Sequence, residues 1–181
     1  MPLRSRAWTA DLVRALPDDG SRYELVHGDL LVTPAPRALH QLIVERLHAL
    51  LSDACQRSGL FKVWMSPADI SWSADTLVQP DVFVVPRNEA ATLDWTRMRT
   101  LVLVAEVLSP STAKQDGEQK RRLYQEHGVS TVWLMDADRR AVEVWTPESL
   151  FPVVETVRVS WHPVGAAEPF VIELAEVFAE L

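Results

Sequence analysis

The sequence predicts an α/β domain in which a mixed central sheet is flanked by helices. Two patterns support this fold class. Apolar residues recur at three- and four-residue spacing over residues 37–57, which indicates a long amphipathic helix. Strand-like runs follow, and a second helical segment separates the most apolar of them from the next. Helices that alternate with strands in this way favour a sheet covered by helices.

The elements are predicted to follow one another without an internal repeat or linker, so that residues 1–181 form one domain. They are a lead-in helix at residues 9–16 (within residues 1–20), two strands in YELVHGDLLVTP, the helix at 37–57, strands in FKVWMSPADISW, VQPDVFVVP and LVLVAEVLS, a helix that opens at Asp116 and stops at Gly128, strands in TVWLMDAD and AVEVWTP, and a strand-rich tail with a short helix at 174–178.

Composition restricts the class of protein. The chain of 181 residues carries a net charge of −7, which argues against a surface devoted wholly to nucleic acid but allows a nuclease with a local basic rim. No apolar run approaches the ~20 residues that span a bilayer, so we expect no membrane association. The single cysteine, Cys55, excludes an internal disulfide. With no apolar signal segment at the N-terminus, these features predict a cytoplasmic protein.

Two acids interrupt consecutive apolar strands. Glu106 lies in LVLVAEVL, and Asp81 begins the strand that precedes it. If these strands are neighbours, the two carboxylates converge and repel each other. A hard divalent cation such as Mg²⁺ relieves that repulsion through carboxylate and carbonyl oxygens, and the carbonyl of Val107 is a candidate further ligand.

The following helix supplies a cation. Lys120 shares one helical face with Leu123 and Tyr124, which are predicted to pack on the sheet. Lys120 would then point inward beside the acids, where it could position water or stabilise charge on a phosphate.

Each of these residues also has an ordinary structural interpretation. Asp81 could hydrogen-bond a turn at the strand entry. Glu106 could form a buried salt bridge with Arg99 or Arg121. Lys120 could extend along its aliphatic stem to water.

Several motifs resemble one known family. The segments YELVHGDL, PDVFVV, AEVLSPST and D…QK…LY…HGV…VWLMD, with the terminal EPFVIELAEVF, resemble the Uma-type restriction endonucleases of the PD-(D/E)XK nuclease superfamily. The resemblance covers nearly the whole chain from about Tyr23. It implies a restriction-endonuclease-like core and metal-dependent hydrolysis of phosphodiester bonds.

The resemblance also assigns roles to residues. Asp81 and Glu106 match the two acids of the superfamily motif and would bind Mg²⁺ or Mn²⁺. The superfamily's usual Lys position holds Leu108 here, and Lys120 on the following helix matches the displaced Lys. Glu24, in the YEL motif, would complete the metal site or bind a second ion.

Further matches have simpler interpretations. His40 matches a recurring His of the family, and we favour a hydrogen bond at the helix terminus for it. Ser109, Ser111 and Thr112 match the SPST turn, for which backbone capping is favoured. Asp116 is interpreted as the N-cap of its helix.

Three hypotheses follow. The first is a Mg²⁺-dependent DNA endonuclease, expected to be a homodimer, with phosphate contacts from Arg37, Lys114, Arg121 and Arg122. The second is a catalytically inactive nuclease-fold module that binds DNA or protein and dimerises through an apolar, Trp-bearing surface. The third is a metal-dependent hydrolase of RNA or of a small phosphodiester.

Overall fold

The computed structural model describes residues 7–108 and 113–179, with the backbone alone described over residues 113–116. The helices are α1 (Ala10–Arg14), α2 (Ala38–Ser58), α3 (Arg87–Ala90), α4 (Ala113–Glu126) and α5 (Leu174–Val177), with a 3₁₀ turn at Trp95–Arg97. The strands are β1 (Arg22–Val26), β2 (Asp29–Thr33), β3 (Phe61–Met65), β4 (Val82–Pro86), β5 (Leu103–Leu108), β6 (Val132–Asp136), β7 (Ala141–Trp145), β8 (Val153–Glu155), β9 (Arg158–Trp161) and β10 (Phe170–Glu173).

Six strands form the central sheet in the order β3-β4-β5-β6-β7-β8. Strands β5 and β6 are parallel, and every other neighbouring pair in this sheet is antiparallel. A parallel pair needs a crossover connection, and α4 provides it. The predicted mixed sheet flanked by helices is therefore confirmed.

The central strands β4, β5 and β6 are buried on both faces, which explains their continuous apolar runs. Alternate residues of β4 and β5 pack in one cluster with α2, α5 and the β9–β10 hairpin, among them Val82, Leu103 and Ala105. The intervening residues, such as Phe83 and Val104, pack in a second cluster with Leu123 and Tyr124 of α4. Since side chains alternate along a strand, Glu106 falls on the α4 side of the sheet.

The long helix begins and ends close to its predicted limits. Its last residue is Ser58, and Gly59 follows with φ +69°, a left-handed conformation that glycine adopts without a steric penalty. The predicted N-cap of the second helix is wrong. That helix begins at Ala113, so Asp116 lies within its first turn. Carboxylates are favoured throughout a first helical turn, because they face the positive end of the helix dipole, and this explains the misplaced start.

None of the tryptophans is fully exposed, which bears on the predicted Trp-bearing surface. All seven lie in the described part of the chain, and each is buried or half-buried. Several of the most exposed apolar side chains lie instead in or beside β8, at one edge of the central sheet: Leu150, Phe151, Val153, Val154 and Val157. Within the described residues, no helix is both long and apolar enough to span a bilayer.

Packing of α2 on the sheet predicts a stability difference between two leucines. Leu47 is fully buried in the core, whereas Leu39 on the same helix is 55% exposed. Leu47→Ala should lower the free energy of unfolding by about 2–5 kcal/mol, because it removes packed methyl groups and leaves a cavity. Leu39→Ala, the matched control, should change it by less than about 0.5 kcal/mol. Urea denaturation measures both, and equal losses would contradict the assigned packing.

Candidate active site

Strand pairing places the two predicted acids side by side. Val82, the first residue of β4, pairs with Ala105 of the antiparallel strand β5. Asp81, the residue before Val82, therefore lies next to Glu106 and Val107 of β5. The backbone N–H of Val107 donates a hydrogen bond of 2.9 Å to Asp81 Oδ2, which ties the two strands together at the site.

Asp81 is buried and accepts hydrogen bonds on both carboxylate oxygens. Arg22 of β1 lies 2.7 Å from Oδ1, and His40 Nε2 at the start of α2 lies 3.0 Å from Oδ2. Burial alone would raise the pKa of Asp81. The hydrogen bond from His40 and the charge of Arg22 outweigh burial and hold the pKa well below its usual range. An ionised carboxylate only accepts, so His40 Nε2 carries the proton in this contact.

Lys120 of α4 lies between the other two acids. Its Nζ atom is 2.8 Å from Glu24 Oε1 and 2.7 Å from Glu106 Oε1, and all three side chains are buried. Burial opposes the charged form of Lys120, but the charges of Glu106 and Glu24 prevail and raise its pKa above the usual range. Lys120 is therefore an ammonium group at neutral pH.

Glu106 has a further donor in Tyr124, one helical turn after Lys120. The Tyr124 hydroxyl donates a 2.5 Å hydrogen bond to Glu106 Oε1, and burial together with the Glu106 charge keeps its pKa well above the usual value. Burial also raises the pKa of Glu106 to about 7; Lys120 opposes this shift, while Asp81 and Glu24 add to it. Glu106 thus titrates near neutral pH.

The structure thus brings Asp81, Glu106, Glu24 and Lys120 into one buried network. Val107 contacts it through its N–H. The predicted alternative of a salt bridge from Glu106 to Arg99 or Arg121 is wrong, because Lys120 is its partner.

The residues predicted to contact phosphate differ in exposure. Arg121 is buried, with its guanidinium 4.0 Å from the centroid of the Trp145 ring, and this removes it from the surface available to phosphates. Arg37 and Arg122 are exposed. The remaining predictions lie outside the described residues or side chains, namely Ser109, Ser111, Thr112, Lys114 and the side chain of Asp116.

Three members of the network were not assigned to it from the sequence. Arg22 lies two residues before Glu24, so it shares the same face of β1, and that spacing is the signal that could have found it. Tyr124 is predicted only to pack on the sheet, although it shares a helical face with Lys120. His40 is predicted to form a hydrogen bond at the helix terminus, and its partner is Asp81 in another element.

The donor chemistry of the site fits a hard divalent cation. When Glu106 is ionised, three buried carboxylates face two cations, Arg22 and Lys120, so these five side chains carry one net negative charge. Carboxylate oxygens are the ligands that Mg²⁺ and Mn²⁺ prefer. Among the described residues, however, no group of three or more His, Cys, Asp or Glu side chains is arranged to hold a metal ion.

The raised pKa of Glu106 predicts a pH-dependent stability. In the folded protein this pKa is about 7, against an ordinary value of 4.5. The folded state therefore binds this proton more tightly than the unfolded state does. The free energy of unfolding that the bound proton contributes is lost as pH rises from about 4.5 to about 7. Glu106→Gln has no titrating group at this position and does not lose this contribution. Relative to the wild type, its free energy of unfolding should therefore rise by up to about 1.4 kcal/mol per pH unit across this window. Urea titrations at pH 5, 6, 7 and 8 measure the difference, and parallel profiles would contradict the assignment.

Comparisons with known proteins agree with this picture. The Uma2 family, described as "Putative restriction endonuclease", matches residues 10–169. A crystal structure described as "a putative nuclease belonging to DUF820 from Anabaena variabilis" superposes with a TM-score of 0.77 at 18% sequence identity, covering 94% of this chain and 97% of that one. At this identity, the second match establishes the fold alone. No curated protein matches the chain. The family match covers most of the sequence and confirms the resemblance seen in its motifs, so the chain belongs to the Uma2 family of restriction-endonuclease-like proteins.

Proposed function

We propose that this protein is a divalent-metal-dependent endonuclease that hydrolyses DNA phosphodiester bonds. The observation that carries the proposal is the buried ammonium of Lys120 between Glu24 and Glu106, with Asp81 beside them, in a chain of the Uma2 family. We also take residues 1–181 as one nuclease domain.

Mg²⁺ or Mn²⁺ is the proposed cofactor, since restriction-endonuclease-like nucleases generally use divalent metal ions. Asp81 and Glu106 would hold the ion, with Glu24 and the carbonyl of Val107 as further ligands. A bound ion supplies Lewis-acid stabilisation of the charge that develops on the phosphate oxygens.

The roles of the chain's own residues follow from their charges. Lys120 stays protonated and cannot serve as a general base. It is suited to donating hydrogen bonds to the attacking water or to a phosphate oxygen, as a fixed positive charge. Tyr124 holds Glu106 in place through its hydroxyl, and His40 does the same for Asp81. Positioning of this kind lowers the barrier by fixing the reacting groups before the reaction begins.

DNA is the proposed substrate, although the chain is acidic overall. The exposed Arg37 and Arg122, together with Lys114, are proposed to contact the phosphate backbone. The single buried cysteine, Cys55, supports the cytoplasm as the proposed compartment.

A second candidate is a nuclease-fold module without catalytic activity, which binds DNA or protein. It is favoured by one observation: both oxygens of Asp81 are engaged by donors of the protein itself, including the permanent cation Arg22. This candidate predicts a folded protein that binds its partner and leaves phosphodiester bonds intact.

Cleavage assays separate the two candidates. The wild type should nick or linearise plasmid DNA with Mg²⁺ or Mn²⁺ and lose this activity in EDTA. Asp81→Asn and Glu24→Gln should each reduce the rate by about 100-fold or more, since each removes a charge from the reacting centre. Asp53→Asn, which changes an exposed acid of α2 paired with Arg57, should leave the rate unchanged. Single-stranded DNA and RNA, assayed in parallel, test the substrate class.

Folding of each variant is checked by its thermal midpoint. A folded wild type that cleaves none of these nucleic acids with either metal would overturn the nuclease proposal and favour the inactive module. Equal rates in Asp81→Asn and the wild type would overturn the proposed site.

A homodimer is the proposed assembly, because cleavage of both strands of a duplex takes two sites. Among the described residues, β8 pairs with β7 alone and carries exposed apolar side chains, which supports a dimer, since such edge strands readily pair with another chain. Light scattering should give a mass near twice 20.4 kDa for the wild type and near 20.4 kDa for Val154→Lys, a change within β8. Val164→Lys, at a loop position with 97% exposure, should remain dimeric. A monomeric wild type would refute the dimer.

A further inference from the structure

Arg22 contacts the carboxylate of Asp81 directly. Its Nη1 atom lies 2.7 Å from Asp81 Oδ1 and 3.4 Å from the carbonyl oxygen of Gln79. The other oxygen of Asp81 accepts from His40 and from Val107 N–H. Neither oxygen of this carboxylate is therefore free of a protein donor.

The charge on Arg22 cannot be removed by pH. An arginine guanidinium is permanently charged in proteins, and the charges of Asp81 and Glu24 raise the pKa of Arg22 further, although burial opposes them. A divalent cation close to this guanidinium would be strongly repelled, since the site is poorly screened. The two cations cannot both sit against Asp81 at low cost.

Arg22 nevertheless has a route away from Asp81. Its side chain is 19% exposed, whereas the side chain of Asp81 is 3% exposed. Arg22 is the first residue of β1, whereas Leu25 and Glu24 hold the strand in place through the bridge to Leu77 and the ion pair with Lys120. A rotation of the long arginine side chain toward solvent would free Asp81 Oδ1 without moving the central sheet.

We propose that Arg22 is an internal counter-ion that competes with the divalent metal for Asp81, so that metal binding displaces its guanidinium from Oδ1. This rests on the proposed metal-dependent function and names a device that sets the metal affinity of that site. In the absence of metal, Arg22 keeps Asp81 ionised and in place.

Calorimetric titration with Mg²⁺ tests the competition directly, with no need for DNA or activity. Arg22→Gln should bind Mg²⁺ at least about tenfold more tightly than the wild type. The matched control is Arg14→Gln, which also removes one positive charge, from an arginine that faces the more exposed acids Asp11 and Asp69. Its affinity should stay within about twofold of the wild type. Binding by Arg22→Gln that is equal to or weaker than that of the control, or no Mg²⁺ binding by any of the three folded proteins, would overturn the proposal.

A second measurement uses the wild type alone, in case Arg22→Gln does not fold. The side-chain nitrogen signals of Arg22, assigned by NMR, should move away from their ion-paired positions as Mg²⁺ saturates the site. Unchanged signals at saturation would overturn the competition. These measurements are distinct from the cleavage assays. Tighter Mg²⁺ binding by Arg22→Gln, with no DNA cleavage by the wild type, would support the competition and refute the nuclease. DNA cleavage by the wild type, with unchanged Mg²⁺ affinity in Arg22→Gln, would support the nuclease and refute the competition.

Discussion

The ammonium group of Lys120 is the interaction on which the site depends. It lies within 2.8 Å of both Glu24 and Glu106, in surroundings where none of the three side chains has ready access to water. A buried charge is tolerated only with partners of opposite sign, and removal of one partner leaves the others uncompensated. The positions of β1, β5 and α4 are therefore fixed relative to one another by one cation and two anions, as well as by apolar packing.

The two-sided burial of β5 explains how an acid comes to lie in so apolar a strand. Ala105 packs in the cluster that contains α2, whereas Val104 packs in the cluster that contains α4. Glu106 shares the parity of Val104, and α4 presents Lys120 and Tyr124 to it at consecutive turns of one face. The helix α4, which covers this face of β5, thus also provides the polar partners of Glu106.

Local patterns in the sequence were sufficient for the fold class and for part of the site. Adjacent strand-like runs predicted that Asp81 and Glu106 converge, and helical periodicity predicted that Lys120 points inward. Arg22 and His40 could not be found in this way, because they meet Asp81 across 59 and 41 positions of the chain. Periodicity shows which face of an element is buried but not which distant element covers it. The predicted start of α4 at Asp116 is wrong for a different reason: an acid is favourable both at an N-cap and in a first turn.

The separation of the site residues along the chain also bears on when the site can form. Glu24 and Lys120 are separated by more than half of the chain, yet they share one ion pair. Contacts of this kind require the closure of a long loop and so belong to the slow part of folding. A nascent chain that ends before α4 lacks the ammonium and leaves its acids hydrated and apart. The complete constellation therefore exists only in a chain synthesised past Tyr124, and fragments released earlier carry no assembled site.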